Sequence, residues 1–335
     1  MSGAILLGAV LLFGRGARCV AGDELIRHEF AQVLMGMEFK LVFYSPDQPA
    51  AKRAADAAFA RIHELNSILS DYDPASELSR LSRSAGGGQP VSVSPELMTV
   101  LSAAQALAAR TDGAFDVTAG PVIQLWRRAR RQREHPSQER LTEARRLVGY
   151  QLLDLDLAGQ RVRLAREGMR LDLGGIAAGY AADEALRILR AQGIHRAMID
   201  ASGDVVVGDP PPSKCGWRIG LVPPAASEPP IYVSISNCAI ATSGDTEQFV
   251  ELDGKRYSHI VDPRTGLGLT NRLSVTVVAP NGMQADSLAT AVSVLGPQQG
   301  LALVADTPGV ECRIFQITSA GPSTFQSPGF PSVAP

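Results

Sequence analysis

From residue 35 to 44 apolar side chains alternate with polar ones, which predicts a β-strand behind the opening Met35-Gly36-Met37. The period then changes. Ala55, Ala58, Ile62, Leu65 and Leu69 recur three or four positions apart, so 50–69 reads as an amphipathic helix. A polar, glycine-bearing stretch covers 69–89. Ser94-Pro95-Glu96 opens a second helix, with serine as N-cap and proline at the first helical position, and its apolar face is Leu97, Val100, Leu101, Ala104 and Leu107. The loop 111–118 ends it. An arginine-rich helix follows, capped by Ser137 and stopped by Gly149, then strands at 152–157 and 162–165 joined through Ala158-Gly159. Beyond these the pattern gives a helix at 176–192 and strands at 197–200, 204–207, 217–222, 231–235, 248–252 and 273–279. A helix at 284–295 and a strand near 310–317 complete the series. One more strand-like run, 255–261, leads in from Asp253-Gly254, a pair suited to the type I′ hairpin turn.

Strands outnumber helices and several are linked as hairpins. The expected fold class is therefore α+β, with mixed or antiparallel sheets and packed helices, not an alternating βαβ chain. Gly174-Gly175 lacks the third glycine and the downstream acidic residue of a dinucleotide fingerprint. With 335 residues, 45% of them hydrophobic, the chain has the means to bury a full core. Its formal charge of −2 gives no electrostatic case for nucleic acid or an anionic membrane surface. The arginines of 127–133, with Arg140, Arg145 and Arg146, read as the solvated face of a surface helix, or as a docking patch for an acidic partner. Residues 320–335, rich in Pro, Ser and Gly, read as a disordered tail.

The first residues bear on location. Residues 4–13 are an apolar run too short to span a bilayer but sized for a signal-peptide core, and Ala21-Gly22 offers a cleavage site. Segment 1–22 is therefore expected to be a signal peptide or lipoprotein leader. Export to the periplasm follows, with inner-membrane anchoring through Cys19 as the alternative, although Arg18 beside that cysteine fits a lipidation signal poorly. Cys19, Cys215, Cys238 and Cys312 show no metal-ligand spacing; a Cys215–Cys238 bridge and buried free thiols both fit.

Several segments carry candidate chemistry. His259, in Ser258-His259-Ile260-Val261-Asp262-Pro263-Arg264-Thr265-Gly266, sits near a strand end before a tight turn, where a scaffold presents groups to a ligand. Asp286 and Thr290 share a helix face, and a carboxylate with a hydroxyl suits a hard cation such as Mg²⁺; alone, the pair fits a helix cap and a packed hydroxyl as well. Asp172-Leu173-Gly174-Gly175 forms a strand-to-helix turn whose glycines admit close backbone approach and whose helix start offers N–H groups to an anion. Gly113-Ala114-Phe115-Asp116-Val117-Thr118 joins a ring, a carboxylate and a hydroxyl in one loop, and Tyr72 in Asp71-Tyr72-Asp73-Pro74 supplies a stacking ring or only a polar loop. Ala241-Thr242-Ser243-Gly244-Asp245 offers hydroxyls and a turn for phosphate. His28, His63, His135 and His195 lack a partner motif and read as surface residues.

In this order, together with Met35-Gly36, Leu69-Ser70-Asp71-Tyr72 and Ser76-Glu77-Leu78-Ser79, these segments resemble the ApbE family, the FAD:protein FMN transferases, from about residue 33 to about 317. The resemblance implies an ApbE-like domain over 23–319 with the flavin site between its two halves. It implies an exported enzyme that cuts the FAD pyrophosphate and moves FMN onto a threonine or serine hydroxyl of an acceptor protein, releasing AMP. Met35, Tyr72, Ala114, Phe115, Asp116, Asp172 and Ile260 would hold FAD, and the Gly175 carbonyl, Asp286 and Thr290 would hold Mg²⁺. Position 178 also belongs to the FAD set, but Ala178 stands where family members often carry a lysine or another polar residue. Ser202-Gly203-Asp204 stands where many have two glycines before the aspartate. The implied acceptors are flavoprotein subunits of membrane electron-transport complexes.

On this basis His259 is the candidate for taking the acceptor's proton, since an ordinary imidazole titrates near neutral pH. Asp262 and Asp245 are the other candidates. The competing expectations are an FAD pyrophosphatase that yields FMN and AMP, and a non-catalytic flavin-binding protein of the cell envelope.

Overall fold

Antiparallel hairpins laid side by side build the centre of the molecule. The structure is a computed structural model and describes residues 25–221, 231–244 and 248–334. The leader with Cys19, and Asp245, lie outside these residues. β1 (Ile26–Leu34) and β2 (Met37–Ser45) form the first hairpin. Its two-residue turn, Met35-Gly36, has φ of 53° and 78°, the positive pair whose twist matches the flanking strands. The strand expected at 35–44 thus begins two residues later because the turn takes Met35.

α1 (Gln48–Leu69) is capped by Asp47, whose carboxylate accepts the Ala50 N–H at 2.6 Å. A short helix, α2 (Glu77–Arg83), forms within the polar, glycine-bearing stretch, because Ser76 caps it and Leu78 and Leu81 bury. β3 (Val91–Ser92), α3 (Pro95–Arg110), α4 (Gly120–Gln132) and α5 (Gln138–Arg145) follow, then β4 (Leu153–Asp156) and β5 (Arg161–Leu164). The arginines expected on one surface helix are divided between α4 and α5, separated where Arg133 turns left-handed at φ 56°.

Next come α6 (Ala177–Ala191), β6 (Ala197–Ala201), β7 (Asp204–Val207), β8 (Trp217–Leu221), β9 (Ile231–Ile235) and β10 (Cys238–Gly244). Two small hairpins, β11 (Phe249–Leu252) with β12 (Lys255–Ser258) and β13 (Val261–Asp262) with β14 (Leu267–Gly268), lead to β15 (Arg272–Ala279). α7 (Gly282–Ala305) breaks at Gly296 ahead of Pro297, where the expected helix 284–295 ends, and β16 (Glu311–Thr318) and β17 (Gly321–Gln326) finish the series.

Eight strands make the main sheet in the order β1-β2-β6-β7-β10-β15-β16-β17, and every neighbouring pair is antiparallel. Strand order in space follows strand order in sequence. Alternation sorts the faces: Phe39, Leu41 and Phe43 enter the main core with α1, α6 and α7, while Val42 enters a second core with Val207, Trp217, Ile240 and Val278. A third core joins α4 and α5 to the small hairpins through Trp126, Leu141, Val250 and Val261.

Two expectations need correction. Residues 320–335 are not a disordered tail over the described part: β17 pairs with β16, Phe330 is buried in the second core, and Ala334 pairs with Tyr232. The composition is loop-like, but Phe325 and Phe330 anchor the segment and Ser327 Oγ accepts the Cys312 N–H at 2.8 Å. Nor is His28 a surface residue; it is 5% exposed and its ring meets the Gln48 side chain and the Ser45 carbonyl.

α6 and α7 cross through a close approach of their first turns. A Cβ on Gly179 would stand 2.1 Å from the Gly282 carbonyl oxygen, so only glycine allows the two helix starts to meet. The meeting is polar in both directions. Asp183 of α6 accepts the Gly282 and Met283 N–H groups at 2.7 and 2.9 Å, and Asp286 of α7 accepts the Gly179 N–H at 3.2 Å. Gly179→Ala should therefore force the helices apart, costing about 1–3 kcal/mol or more by overpacking. Chemical denaturation checks the cost; wild-type stability in the Gly179→Ala variant would remove the close approach as a constraint.

Candidate active site

The sequence separates the Asp172-Gly175 turn from Asp286 and Thr290, and the helix crossing brings Gly175 beside Thr290. The Asp172 carboxylate accepts the Gly174 N–H at 2.9 Å, which closes the turn into α6. A Cβ on Gly175 would lie 2.8 Å from Thr290 Oγ1, so the glycine backbone and the threonine hydroxyl are neighbours only because no side chain intervenes. One turn earlier on α7, Asp286 is 5% exposed, and among the described residues only the Gly179 N–H hydrogen-bonds to it. A buried carboxylate with a single donor is under-compensated. Burial first, then the neighbouring Asp204 and Asp183 charges, hold its carboxyl well above the ordinary aspartate range against the Gly179 N–H. A carboxylate, a hydroxyl and a backbone carbonyl in one neighbourhood, with negative charge in excess, fit a hard cation that completes its shell with water or phosphate oxygens.

Burial likewise pushes Asp172 up to about 6, aided by Asp71 and opposed by the Arg127 guanidinium. Burial pushes Asp183 up to about 6 against the Met283 and Gly282 N–H groups, and Asp204 up to about 7 with Asp200 adding repulsion. Sequence reasoning misses both Asp183 and Asp204 as site residues. Position 204 stands out in the sequence only as a departure from the family pattern, and nothing local marks either aspartate as a neighbour of Asp286.

The Asp116 loop joins this turn through its backbone: the Asp172 N–H donates to the Val117 carbonyl at 2.8 Å. Ala114 and Phe115 bury their side chains, which leaves the main chain, Asp112 and Asp116 to face the adjoining cleft. Asp116 Oδ1 accepts the Thr118 N–H and hydroxyl at 2.8 and 2.7 Å; burial still pushes its carboxyl up. Beside the loop opens a cleft of about 400 Å³ lined by Gly113, Asp116, Arg145, Tyr150, Pro263 and Arg264, which unites the loop with the Pro-Arg turn.

Tyr72 is 73% exposed and lies over the Arg127 guanidinium, 4.4 Å from Cζ to ring centroid. Arg127 in turn pairs with Asp71 and, at 2.7 Å, with Asp172. The expectation of a solvated arginine face therefore fails at Arg127, which sits inside the site. Its signal is invisible locally, since both carboxylate partners lie 45 or more residues away.

His259 is exposed on the segment between β12 and β13. Its backbone N–H and Nδ1 both meet the Gln248 carbonyl, at 2.9 and 3.1 Å. A carbonyl only accepts, so the neutral ring carries its proton on Nδ1 and leaves Nε2 as the basic nitrogen. Arg130, one turn beyond Arg127 on α4, donates to the Gln248 side chain at 3.1 Å. Ile260 is buried beside the histidine. Asp262 is committed to the Arg264 guanidinium at 2.9 and 3.0 Å and is no candidate base.

The remaining sites divide. Met35 packs at the edge of the main core on its left-handed turn. Ala178 is a buried methyl in the core. The phosphate turn expected at 241–245 is not a turn over its described part. Ala241–Gly244 belong to β10, paired with β15 throughout, and the Thr242 hydroxyl is spent on Thr276 at 3.0 Å.

Comparison with known proteins agrees with the fold. The model of the ApbE family matches residues 35–314. An FAD:protein FMN transferase of Treponema pallidum is 32% identical over 90% of this chain and 87% of its own. One from Escherichia coli K12 is 32% identical over 79% of this chain and 77% of its own. Among solved structures, the flavin transferase ApbE of Vibrio cholerae superposes with a TM-score of 0.81 at 29% identity, covering 92% of this chain and 99% of that one. The flavinyl transferase ApbE of Pseudomonas stutzeri gives 0.80 at 31% identity, covering 91% and 96%. Helices on one face of an antiparallel sheet, with site residues gathered where two helices cross, define an α+β enzyme. This chain belongs to the ApbE family.

The raised carboxyls set a pH dependence. In the unfolded chain these aspartates titrate near 3.9. Between that value and about 6 for Asp172 and Asp183, or about 7 for Asp204, the folded state holds protons that the unfolded chain has released. Stability from these groups is therefore present at low pH and lost as pH rises through this window. Metal-free protein should melt at a lower temperature at pH 7.5 than at pH 5.5, and Mg²⁺ should raise the Tm more at pH 7.5. Differential scanning calorimetry at both pH values, with and without Mg²⁺, checks both statements.

Proposed function

We propose that the chain carries FMN from FAD to a threonine or serine hydroxyl of an acceptor protein, releasing AMP, with Mg²⁺ held by the Gly175 carbonyl, Asp286 and Thr290. The observation that carries the metal is the buried, singly bonded Asp286 carboxylate beside Thr290 Oγ1 and Gly175. Flavin transfer itself comes from the family: the chain is a flavin transferase, and relatives bearing that activity in their names align along most of its length.

When bound, Mg²⁺ would neutralise pyrophosphate oxygens and favour departure of AMP. The protein's own part is placement and proton handling. The crossing of α6 and α7 fixes the donor set, and the start of α6 supplies N–H groups toward an anion. Tyr72 offers an exposed aromatic face for a flat ring. Nε2 of His259 would take the proton of the acceptor hydroxyl as oxygen attacks the FMN phosphorus and the bond to the AMP oxygen breaks. The apolar run at 4–13 supports an exported, periplasmic enzyme held at or near the membrane, and flavoprotein subunits of membrane electron-transport complexes are its proposed acceptors.

Incubation with FAD, Mg²⁺ and an acceptor domain should give a fluorescent acceptor band and one AMP per flavin, both lost on chelation. Soluble FMN in place of labelled acceptor would establish hydrolysis instead, and intact FAD would establish storage. Asp286→Ala should abolish the Mg²⁺-dependent reaction; activity at wild-type Mg²⁺ dependence would sink the metal assignment. His259→Ala should slow transfer by about 10²–10⁴-fold while FAD still binds, the range expected for general base catalysis. Unchanged turnover would remove His259 as the base.

A further inference from the structure

Arg127 is used along both edges of its guanidinium. Nη1 donates to Asp71 Oδ2, and Nη2 donates to Asp172 Oδ2 at 2.7 Å. The Tyr72 ring covers its face at 4.4 Å. The second oxygen of Asp172 closes the Gly174 turn, one residue before Gly175. One planar group thus fixes an exposed aromatic face, a buried carboxylate and the entrance to α6.

Stability is a poor account of this cluster. Two carboxylates around one guanidinium leave a net negative charge, and each group has given up hydration; such buried pairs often contribute little net free energy against apolar replacements. Fixed geometry is what the arrangement supplies. Lysine would not supply it, since a single ammonium cannot bridge two carboxylates edge-on while lying flat under a ring.

We propose that Arg127 is a positioning residue for flavin-nucleotide binding, holding Tyr72 and Asp172 in the relative placement that grips FAD. The proposal rests on the reading that this site takes FAD. Arg127 does not touch the reacting atoms. Its effect belongs in affinity, not in the chemical step.

FAD dissociation constants from quenching of flavin fluorescence, with KM and kcat for transfer, test it in the wild type, Arg127→Gln, Arg127→Lys and Arg131→Gln. Loss of a charged, two-edged contact should weaken FAD binding by about tenfold or more in Arg127→Gln, with a matching rise in KM and kcat within about threefold. Arg127→Lys should fall between Arg127→Gln and wild type, and Arg131→Gln, an exposed change on the same helix, should match wild type. A folded Arg127→Gln protein that binds FAD within about twofold of wild type overturns the proposal, whatever its melting temperature. If Arg127→Gln does not fold, Asp71→Asn decides: it leaves the Asp172 pair, so weaker FAD binding supports positioning and unchanged binding overturns it. A wild-type protein that neither binds nor uses FAD overturns the functional reading as well, whereas unaffected variants of an active enzyme overturn only the role of Arg127.

Discussion

Two helix starts meeting backbone to backbone, at Gly179 and Gly282, are the constraint on which the site depends. Each start has unpaired N–H groups and a partial positive charge. Bringing two such ends together is unfavourable unless anions sit between them, and Asp183 and Asp286 are those anions, each reaching across to the other helix. Asp183 uses both oxygens on the opposing backbone. Asp286 uses one, and the asymmetry leaves a carboxylate oxygen for chemistry beside Thr290 and Gly175.

That arrangement accumulates negative charge. Asp172, Asp183, Asp204 and Asp286 all have raised carboxyls, with burial the leading cause in each. Crowded, buried carboxylates of this kind hold protons where no positive charge balances them. The arrangement also explains the placement of α4. The third core carries this helix on its apolar face, through Val122, Trp126 and Ala129, while Arg127 and Arg130 reach out from it. Arg127 brings compensating charge to Asp71 and Asp172, and Arg130 steadies the residue whose carbonyl sets the tautomer of His259. The Asp172 turn and the His259 segment are thus both held by successive turns of one helix.

Much of this was legible in the sequence because it is written in short-range patterns. Period-two alternation marked β2 and apolar strand-like runs marked β7, β9 and β15; spacings of three and four marked α1 and α3; serine-proline marked the start of α3, and Asp253-Gly254 marked a hairpin whose φ values of 50° and 72° bear it out. The turn residues Asp172, Gly174 and Gly175 and the i, i+4 pair Asp286–Thr290 were visible for the same reason. What escaped notice depends on distant partners. A half-buried arginine, Arg127, looks like a solvated one until Asp71 and Asp172 arrive from elsewhere. β10 looks like a hydroxyl-rich turn until β7 and β15 pair with it, and the segment from Ala320 looks unstructured until the sheet edge offers it a ladder. β1, with a mixed pattern and most residues exposed, is held by its hairpin partner more than by its own alternation.

The antiparallel sheet has a consequence for how the chain is made. Because its strands lie in the order of their synthesis, each new strand finds its partner already at the growing edge, and no strand waits for a later one to be inserted beside it. The helical side closes once β16 follows α7 and adds Cys312 and Ile314 to the main core. The opposite side stays open longer: Val42, Val207 and Ile240 remain incompletely covered there until Phe330 arrives, near the last of the described residues to leave the ribosome. A nascent chain therefore shows one finished face and one sticky one until that last aromatic residue is added.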